Sequence, residues 1–499
     1  MTAAPNLPAG KALTDIAGFD DVLGGGLTRE RVYLIEGSPG TGKTTLALQF
    51  LLAGARNGET GLYITLGETA EELRAGSASH GWALDAIDVF ELVPPESLLD
   101  AEQQQSLLYS SDLELGETTR LIFDQVERVQ PTRVVLDSLS EIRLLAQGSL
   151  RFRRQILALK HYFARHGTTV LLLDDLTAEA QDRTLHSIAH GVVRLEELAP
   201  EYGAERRRLR ITKYRGTKYR GGYHDFTIAT GGVTVFPRLI AAEHHHGFAR
   251  TLTDTGAAEL DTLLGGGLER GSSTLLVGPS GSGKTLLALS VAVAAMKRGE
   301  KAAVYVFDEE LGLLLDRAAG LGFDLAAYRD QSLLLLEPID AAELSPGEFA
   351  HKVCAHVERD GVRTVLLDSL NGYQAAMPQE QFLILHMHEL LTYLNRQGVV
   401  TLLTMAQHGF IGEMKTPVDL TYLSDTVILL RYFEAEGRVR RALSVVKKRA
   451  GAHEDTIREF RITPGGFEIG APLEQFHGVM QGVPVYTGGQ GNLFGNDPA

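Results

Sequence analysis

The feature that most constrains this chain is a long internal duplication. The run GFDDVLGGGLTRERVYLIEGSPGTGKTTLALQFL, starting at Gly18, returns as AAELDTLLGGGLERGSSTLLVGPSGSGKTLLALSV from Ala257. Lys43 and Lys284 lie 241 residues apart, as do Glu68 and Glu309 and the glycine triplets that start at Gly24 and Gly265. Later landmarks drift a little: Asp137 and Asp368 are 231 apart, Lys213 and Lys447 234 apart. A repeat this long is no solenoid unit, so each copy is a domain with its own core. The expected division is a flexible N-terminus at 1–12, a first domain at 13–240, a linker at 241–253, a second domain at 254–486 and a disordered tail at 487–499.

Within each copy, short apolar runs alternate with amphipathic stretches of helical length. The runs are Val32–Ile35, Leu62–Leu66, Val134–Leu136 and Val170–Leu173, then Thr274–Val277, Ala303–Phe307, Val365–Leu367 and Val400–Thr404. Unbroken apolar runs separated by helices read as buried parallel strands with crossover connections. The alternating runs Arg208–Tyr214 and Ala442–Val446 read as an antiparallel edge on each sheet. The fold class is therefore α/β in duplicate, each copy a mostly parallel sheet flanked by helices.

Composition narrows the function. Glycine is 54 of 499 residues, about 11% against a usual ~7%, and without a collagen-like period this implies tight turns and phosphate loops. The net charge of −15 makes non-specific binding to DNA or anionic membrane unfavourable. One cysteine, Cys354, permits no intrachain disulfide, and it reads as a small core residue. No basic-then-apolar leader opens the chain, and no apolar run reaches the ~18 to 20 residues that span a bilayer. A cytoplasmic location is expected. The three histidines 244–246 read as part of the solvated linker, because neighbours in an extended segment do not converge on one metal.

GSPGTGKT from Gly37 and GPSGSGKT from Gly278 both fit G-x-x-x-x-G-K-[ST], each between a predicted strand and a predicted helix. Here glycines let backbone N–H groups converge on phosphate oxygens at a helix N-terminus. The candidate phosphate contacts are Gly40, Thr41, Gly42, Lys43, Thr44 and Thr45, and in the second copy Ser280, Gly281, Ser282, Gly283, Lys284, Thr285 and Leu286. Lys43 and Lys284 would reach the terminal phosphates of ATP, with Thr44 and Thr285 on Mg²⁺. Asp137 and Asp368 end apolar strands in RVVLDSL and TVLLDSL, where a carboxylate needs a cationic partner; they complete the metal pairs, or else cap the helices that follow. Glu68, and Asp308 with Glu309, end the strand after each loop, where an acid can orient or deprotonate a nucleophile; a solvated helix start is the alternative.

Basic residues concentrate between Arg206 and Arg220, with Tyr214 and Tyr219 among them. The stretch suits either a nucleic-acid groove or an interface that delivers charge to a neighbour's phosphates. Both copies share Lys-x-Arg, as Lys213 and Arg215, then Lys447 and Arg449 with Lys448 between, which favours the second reading.

The chain resembles the KaiC family of tandem RecA-like ATPases of bacterial timing systems, from about Leu13 to Tyr486. The marks are GFDDVLGGGL, the paired loops, Gly81-Trp82, Ser424 in SDTVILLRY, and Lys-x-Arg followed by GYHDFTI or IREFRI. The resemblance implies a double-ringed homohexamer with ATP between subunits. It implies weak ATPase activity mostly in the N-terminal ring and serine/threonine autophosphorylation in the C-terminal ring. It also places Ser79, Lys213, Tyr214, Arg215 and Thr217 near the first-domain nucleotide, with Lys447, Lys448 and Arg449 near the second, and a KaiB-like protein or a signalling kinase among the partners.

This chain departs from the family pattern at three points. The paired glutamates stand here as Gly67-Glu68 and Asp308-Glu309, the first pair lacking one acid and the second one methylene shorter. The adjacent serine-threonine phosphosites align with Thr421 and Tyr422, Ser424 being a close substitute, and the tail is short. A DNA-acting RecA-like motor and a scaffold in which ATP is structural are the competing functions.

Overall fold

The computed structural model describes residues 10–92, 107–176, 184–199, 203–375, 380–407, 421–479 and 484–486. The expectations for residues 1–9 and for the tail at 487–499 lie outside the described residues. Contacts divide the chain into two compact units, Met1–Arg238 and Leu239–Ala499.

The first unit is built on a nine-stranded sheet. From edge to edge its strands are Gly232–Phe236, His224–Ala229, Arg206–Tyr214, Gly191–Leu198, Val32–Gly37, Thr169–Asp175, Arg133–Asp137, Gly61–Thr65 and Ile87–Glu91. The last six are mutually parallel and the first three join antiparallel. The second unit repeats this order as Gly466–Pro472, Arg458–Thr463, Arg438–Lys448, Thr426–Ala435, Ser273–Gly278, Val400–Ala406, Val362–Asp368, Lys301–Val306 and Leu334–Pro338. Two mostly parallel sheets with flanking helices make the tandem RecA-like α/β architecture anticipated from the repeat.

The central parallel strands are apolar because both faces of the sheet are covered there. Along Val32–Gly37, Tyr33 and Ile35 pack with Leu46, Phe50 and Leu51 of the phosphate-loop helix. Val32 and Leu34 point the other way, onto Ile156, Leu159 and Phe163 of helix Ser149–Arg165. Two residues in the anticipated runs fall outside their strands, since Gly61–Thr65 and Lys301–Val306 stop before Leu66 and Phe307. The edge strands Ile87–Glu91 and Leu334–Pro338 were not anticipated; the first is half polar, whereas the second carries a leucine run, Leu333–Leu336, that sequence reasoning passed over.

Part of the segment taken as a linker is docked. Ala241 is buried in the second unit's core, its N–H donates to Glu389 (3.0 Å), and its carbonyl accepts from Arg396 (3.0 Å).

His224 stabilises the first unit in a pH-dependent way. It is fully buried; Nε2 donates to Arg220 O (3.0 Å), and Nδ1 accepts the Arg238 N–H (2.8 Å). Protonating Nδ1 sets two donors face to face, and burial pushes the imidazole down to about 4. The unfolded imidazole titrates near ~6.5. The native state thus favours the neutral ring, and this contribution is complete above pH ~6.5 and lost as pH falls toward 4. The loss reaches about 3 kcal/mol at its full extent. Trp82, the one tryptophan, packs on the first unit's core and reports its unfolding. Urea titrations followed by Trp82 fluorescence should show stability falling between pH 6.5 and 4, with a shallower fall in His224→Gln; equal slopes would refute this.

Candidate functional site

Each phosphate loop joins a central parallel strand to a buried helix, Val32–Gly37 to Lys43–Arg56 and Ser273–Gly278 to Lys284–Lys297. Both turns need left-handed backbone immediately before the lysine, at Gly42 (φ 95°) and Gly283 (φ 103°). A side chain at Gly42 would also meet Ile228 at 2.3 Å. Thr41 is buried and donates its hydroxyl to Ser38 O (2.8 Å), while the buried Ser282 hydroxyl has no partner among the described residues. Ser280 is exposed, and its carbonyl accepts from Tyr432 (3.3 Å). Thr45 and Leu286 lie in the first helical turn.

The two lysines fold onto the carbonyls that open their own loops. Lys43 Nζ donates to Gly37 O and Ser38 O, both at 2.9 Å. Lys284 Nζ donates to Gly278 O (2.9 Å) and Pro279 O (2.8 Å). Lys43 has a third partner, the Asp175 carboxylate at 2.7 Å. At the matching register of the second sheet stands Ala406, and burial there pushes Lys284 down to about 8. Only the Asp368 charge offsets this burial, and a buried ammonium with no ion-paired carboxylate among the described residues is a site for an external anion.

Asp137 closes the strand two positions from the loop, with Thr169–Asp175 between. Its Oδ2 accepts from Thr44 Oγ1 (3.1 Å) and Tyr63 Oη (2.5 Å), yet burial holds the carboxyl above its usual range. A carboxylate so enclosed suits a cation. Asp368 accepts instead from Thr404 Oγ1. Both aspartates precede a cis peptide, Asp137-Ser138 and Asp368-Ser369.

The catalytic candidates sit beside this pair. Glu68 follows strand Gly61–Thr65; burial, then the Asp137 and Glu72 charges, raise its carboxyl above the ordinary range. Asp308 Oδ2 accepts from Ser369 Oγ at 2.5 Å, whereas Glu309 is drawn to Arg317 (2.7 Å). Tyr63, Asp175, Thr404 and Ser369 were not singled out from sequence. Only Asp175 left a trace there, as part of an acidic doublet ending an apolar strand.

Lys-x-Arg performs the same structural task twice. Lys213 Nζ donates to His186 O and Ala189 O (2.7 Å), and Arg215 Nη2 to Ser187 O (2.8 Å). Lys447 Nζ donates to Thr421 O and Ser424 O, each at 2.8 Å, and Arg449 Nη2 to Tyr422 O. Each pair clamps the carbonyls of the turn leading into the next parallel strand. Thr421 is half-buried and Tyr422 exposed, while Ser424 is fully buried.

Within one chain the remaining candidates lie away from the loops. Tyr214 is a core residue, its hydroxyl donating to Gly26 O (2.9 Å) and accepting from Thr28 N–H (2.9 Å). Lys448 Nζ caps Leu264 O at the second glycine triplet. Ser79 bonds Gly76 O (2.6 Å), and Thr217 sits in the turn beside Gly24. Part of the basic stretch is paired in place. Arg207 pairs with Glu197 (2.9 Å) and Arg208 with Glu196 (2.8 Å), and Arg208 and Arg210 stack on Tyr223.

Two parallel-sheet domains, each with a phosphate loop, a strand-end aspartate and an acid on the neighbouring strand, define tandem RecA-like P-loop ATPase domains. The family model described as "ATPase: KaiC" matches residues 12–240 and 253–474, and the chain belongs to the KaiC ATPase family. It is 28% identical over 485 residues to "Circadian clock protein KaiC3" of Synechocystis sp., covering 96% of this chain and 95% of the relative. It is 29% identical over 487 residues to "Circadian clock oscillator protein KaiC" of Synechococcus elongatus, covering 95% and 92%. The protein of the same description from Thermosynechococcus vestitus gives 29% over 487 residues, with the same coverage.

The clamp generates a prediction. Removing the ammonium in Lys447→Ala should speed hydrogen exchange of amides 421–425 about tenfold, the scale of losing charged hydrogen bonds worth ~1.5 kcal/mol. Lys213→Ala should do the same for amides 186–190. Exchange mass spectrometry checks both, and unchanged protection would rule out the clamp as the restraint.

Proposed function

We propose that both loops bind Mg-ATP and that the chain works as a KaiC-like ATP-hydrolysing homohexamer, a double ring with serine/threonine autokinase activity in its second domain. The observation that carries this reading is the pairing at each loop of a buried lysine with a strand-end aspartate two strands away. Thr44 with Asp137, and Thr285 with Asp368, would hold Mg²⁺, which neutralises phosphate charge when bound. Glu68 serves as the acid that orients water in the first domain, its raised carboxyl keeping proton affinity suited to a general base.

In the second domain Asp308, with Glu309 beside it, serves as the base for a hydroxyl. That hydroxyl bonds to the γ-phosphorus as the bond to the ADP oxygen breaks, and its proton passes to the carboxylate. Thr421 is the favoured acceptor by alignment; Tyr422, the more exposed of the two, is the substitute, and the burial of Ser424 counts against it. In the ring, Lys213 with Arg215, and Lys447 with Arg449, border the adjoining subunit's nucleotide while clamping their own turns. Timing or signalling in the cytoplasm, with a KaiB-like protein or a signalling kinase as partner, is the physiological setting proposed. The ion-paired basic stretch favours no nucleic acid, and among the described residues no helix is long and apolar enough to cross a membrane.

Lys43→Ala and Lys284→Ala should each remove one nucleotide per subunit, read by denaturing extraction and chromatography. Glu68→Gln should lower turnover ~10² to 10⁴-fold, the range of general acid–base catalysis. Full nucleotide content in either lysine variant would overturn the assignment of that loop. Phosphopeptide mapping after incubation with ATP and Mg²⁺ should find phosphate between residues 415 and 426. Its absence with the second site filled would leave an ATPase without the kinase.

A further inference from the structure

The two phosphate loops are built alike but differ by one charge at the lysine. Asp175 ends strand Thr169–Asp175 and pairs in register with Gly37, the residue that opens the first loop. Its carboxylate lies 2.7 Å from Lys43 Nζ. With Gly37 O and Ser38 O, each at 2.9 Å, it gives the three-donor ammonium three acceptors. Asp174 is turned away and held by Arg143 (3.0 and 2.7 Å), so the doublet is divided between two cations. In the second domain Ala406 pairs with Gly278 at the same register, and among the described residues Lys284 bonds the two loop carbonyls alone.

Nucleotide phosphates and the Asp175 carboxylate need the same ammonium. An incoming polyphosphate also meets Asp137, whose carboxyl already feels the Asp175 charge. A divalent cation on the nucleotide offsets this repulsion; a bare nucleotide has nothing to offset it. Among the described residues no carboxylate is ion-paired with Lys284; the charge acting on it is that of Asp368, the counterpart of Asp137.

We infer that Asp175 is a specificity-determining residue of the first-domain site, making that site accept metal-complexed nucleoside triphosphate and reject the metal-free form, while the second-domain site lacks this discrimination. The inference rests on both loops binding nucleotide. It assigns to one strand-end aspartate a difference between two otherwise matching sites.

The test uses the full chain with one loop disabled at a time, Lys284→Ala to isolate the first site and Lys43→Ala to isolate the second. ATP binding is measured by titration calorimetry with Mg²⁺ or with EDTA. In the first-site chain, Asp175→Asn should raise affinity for metal-free ATP about tenfold or more, the scale of one close charge pair, with a smaller change for Mg-ATP. In the second-site chain, Ala406→Asp should lower affinity for metal-free ATP by a similar factor. Unchanged or weakened metal-free binding in Asp175→Asn, with Mg-ATP still bound, would overturn the inference. If that variant does not fold, Ala406→Asp decides, and unaltered discrimination there overturns it. Failure of the loop assignment would look different: Mg-ATP would bind neither single-loop chain.

Discussion

A lysine ammonium enclosed at the mouth of a buried helix is the constraint on which the rest of each site depends. Lys43 and Lys284 are each more than nine-tenths shielded from solvent, and a charge so placed must be met by acceptors. The loop supplies two carbonyls in each domain, and it can do so only because glycines carry the backbone through left-handed geometry just before the lysine. The parallel sheet then sets the distances to everything else. Strand-end residues of three neighbouring strands converge on the loop, which is where ligands gather in open α/β sheets.

The same buried problem has been solved twice with different residues. Asp137 is satisfied by Tyr63 from the strand on its outer side and by Thr44. Asp368 is satisfied by Thr404 from the strand on its inner side. What is held constant is the satisfied carboxylate, since leaving it unpaired in the interior costs more than exchanging its partner. The Lys-x-Arg clamp shows the converse case. The cations are retained, and so are the carbonyl positions they bind, although the side chains along that turn differ completely: His186, Ser187 and Ala189 against Thr421, Tyr422 and Ser424.

This contrast explains what was legible in the sequence. The duplication, the two loops, the strand-end aspartates and the central strands all carry side-chain signatures, either periodic burial or glycines at fixed spacing. The family likeness drew on the same residues. The partners of Lys213 and Lys447 are backbone carbonyls, which every residue possesses, so nothing in the residue types reveals them. Tyr214 read both as the end of an alternating strand and as part of a basic, aromatic stretch, and only the fold shows its hydroxyl closing on Gly26 O and Thr28 N–H, 188 and 186 residues away. Asp175 was visible only as the second acid of a doublet after four apolar residues, and its meaning needs the register that sets it against Gly37.

The two domains differ least where their side chains build the core and most at the ends of the parallel strands. Val134–Leu136 and Val365–Leu367 are interchangeable apolar fillings, entirely buried in both sheets. One residue beyond such fillings, side chains stop contributing to the core and face the loop instead. There the first domain carries Gly67 and Asp175 where the second carries Asp308 and Ala406. A carboxylate stands, in effect, on the strand beside the lysine in the first domain and at the end of strand Lys301–Val306 in the second. Because neither position is packed in the hydrophobic layers, such an exchange alters the electrostatics of phosphate binding and proton transfer while leaving the sheet's burial intact. Duplication of this fold thus supplies two sites on matching cores whose strand-end residues are free to diverge.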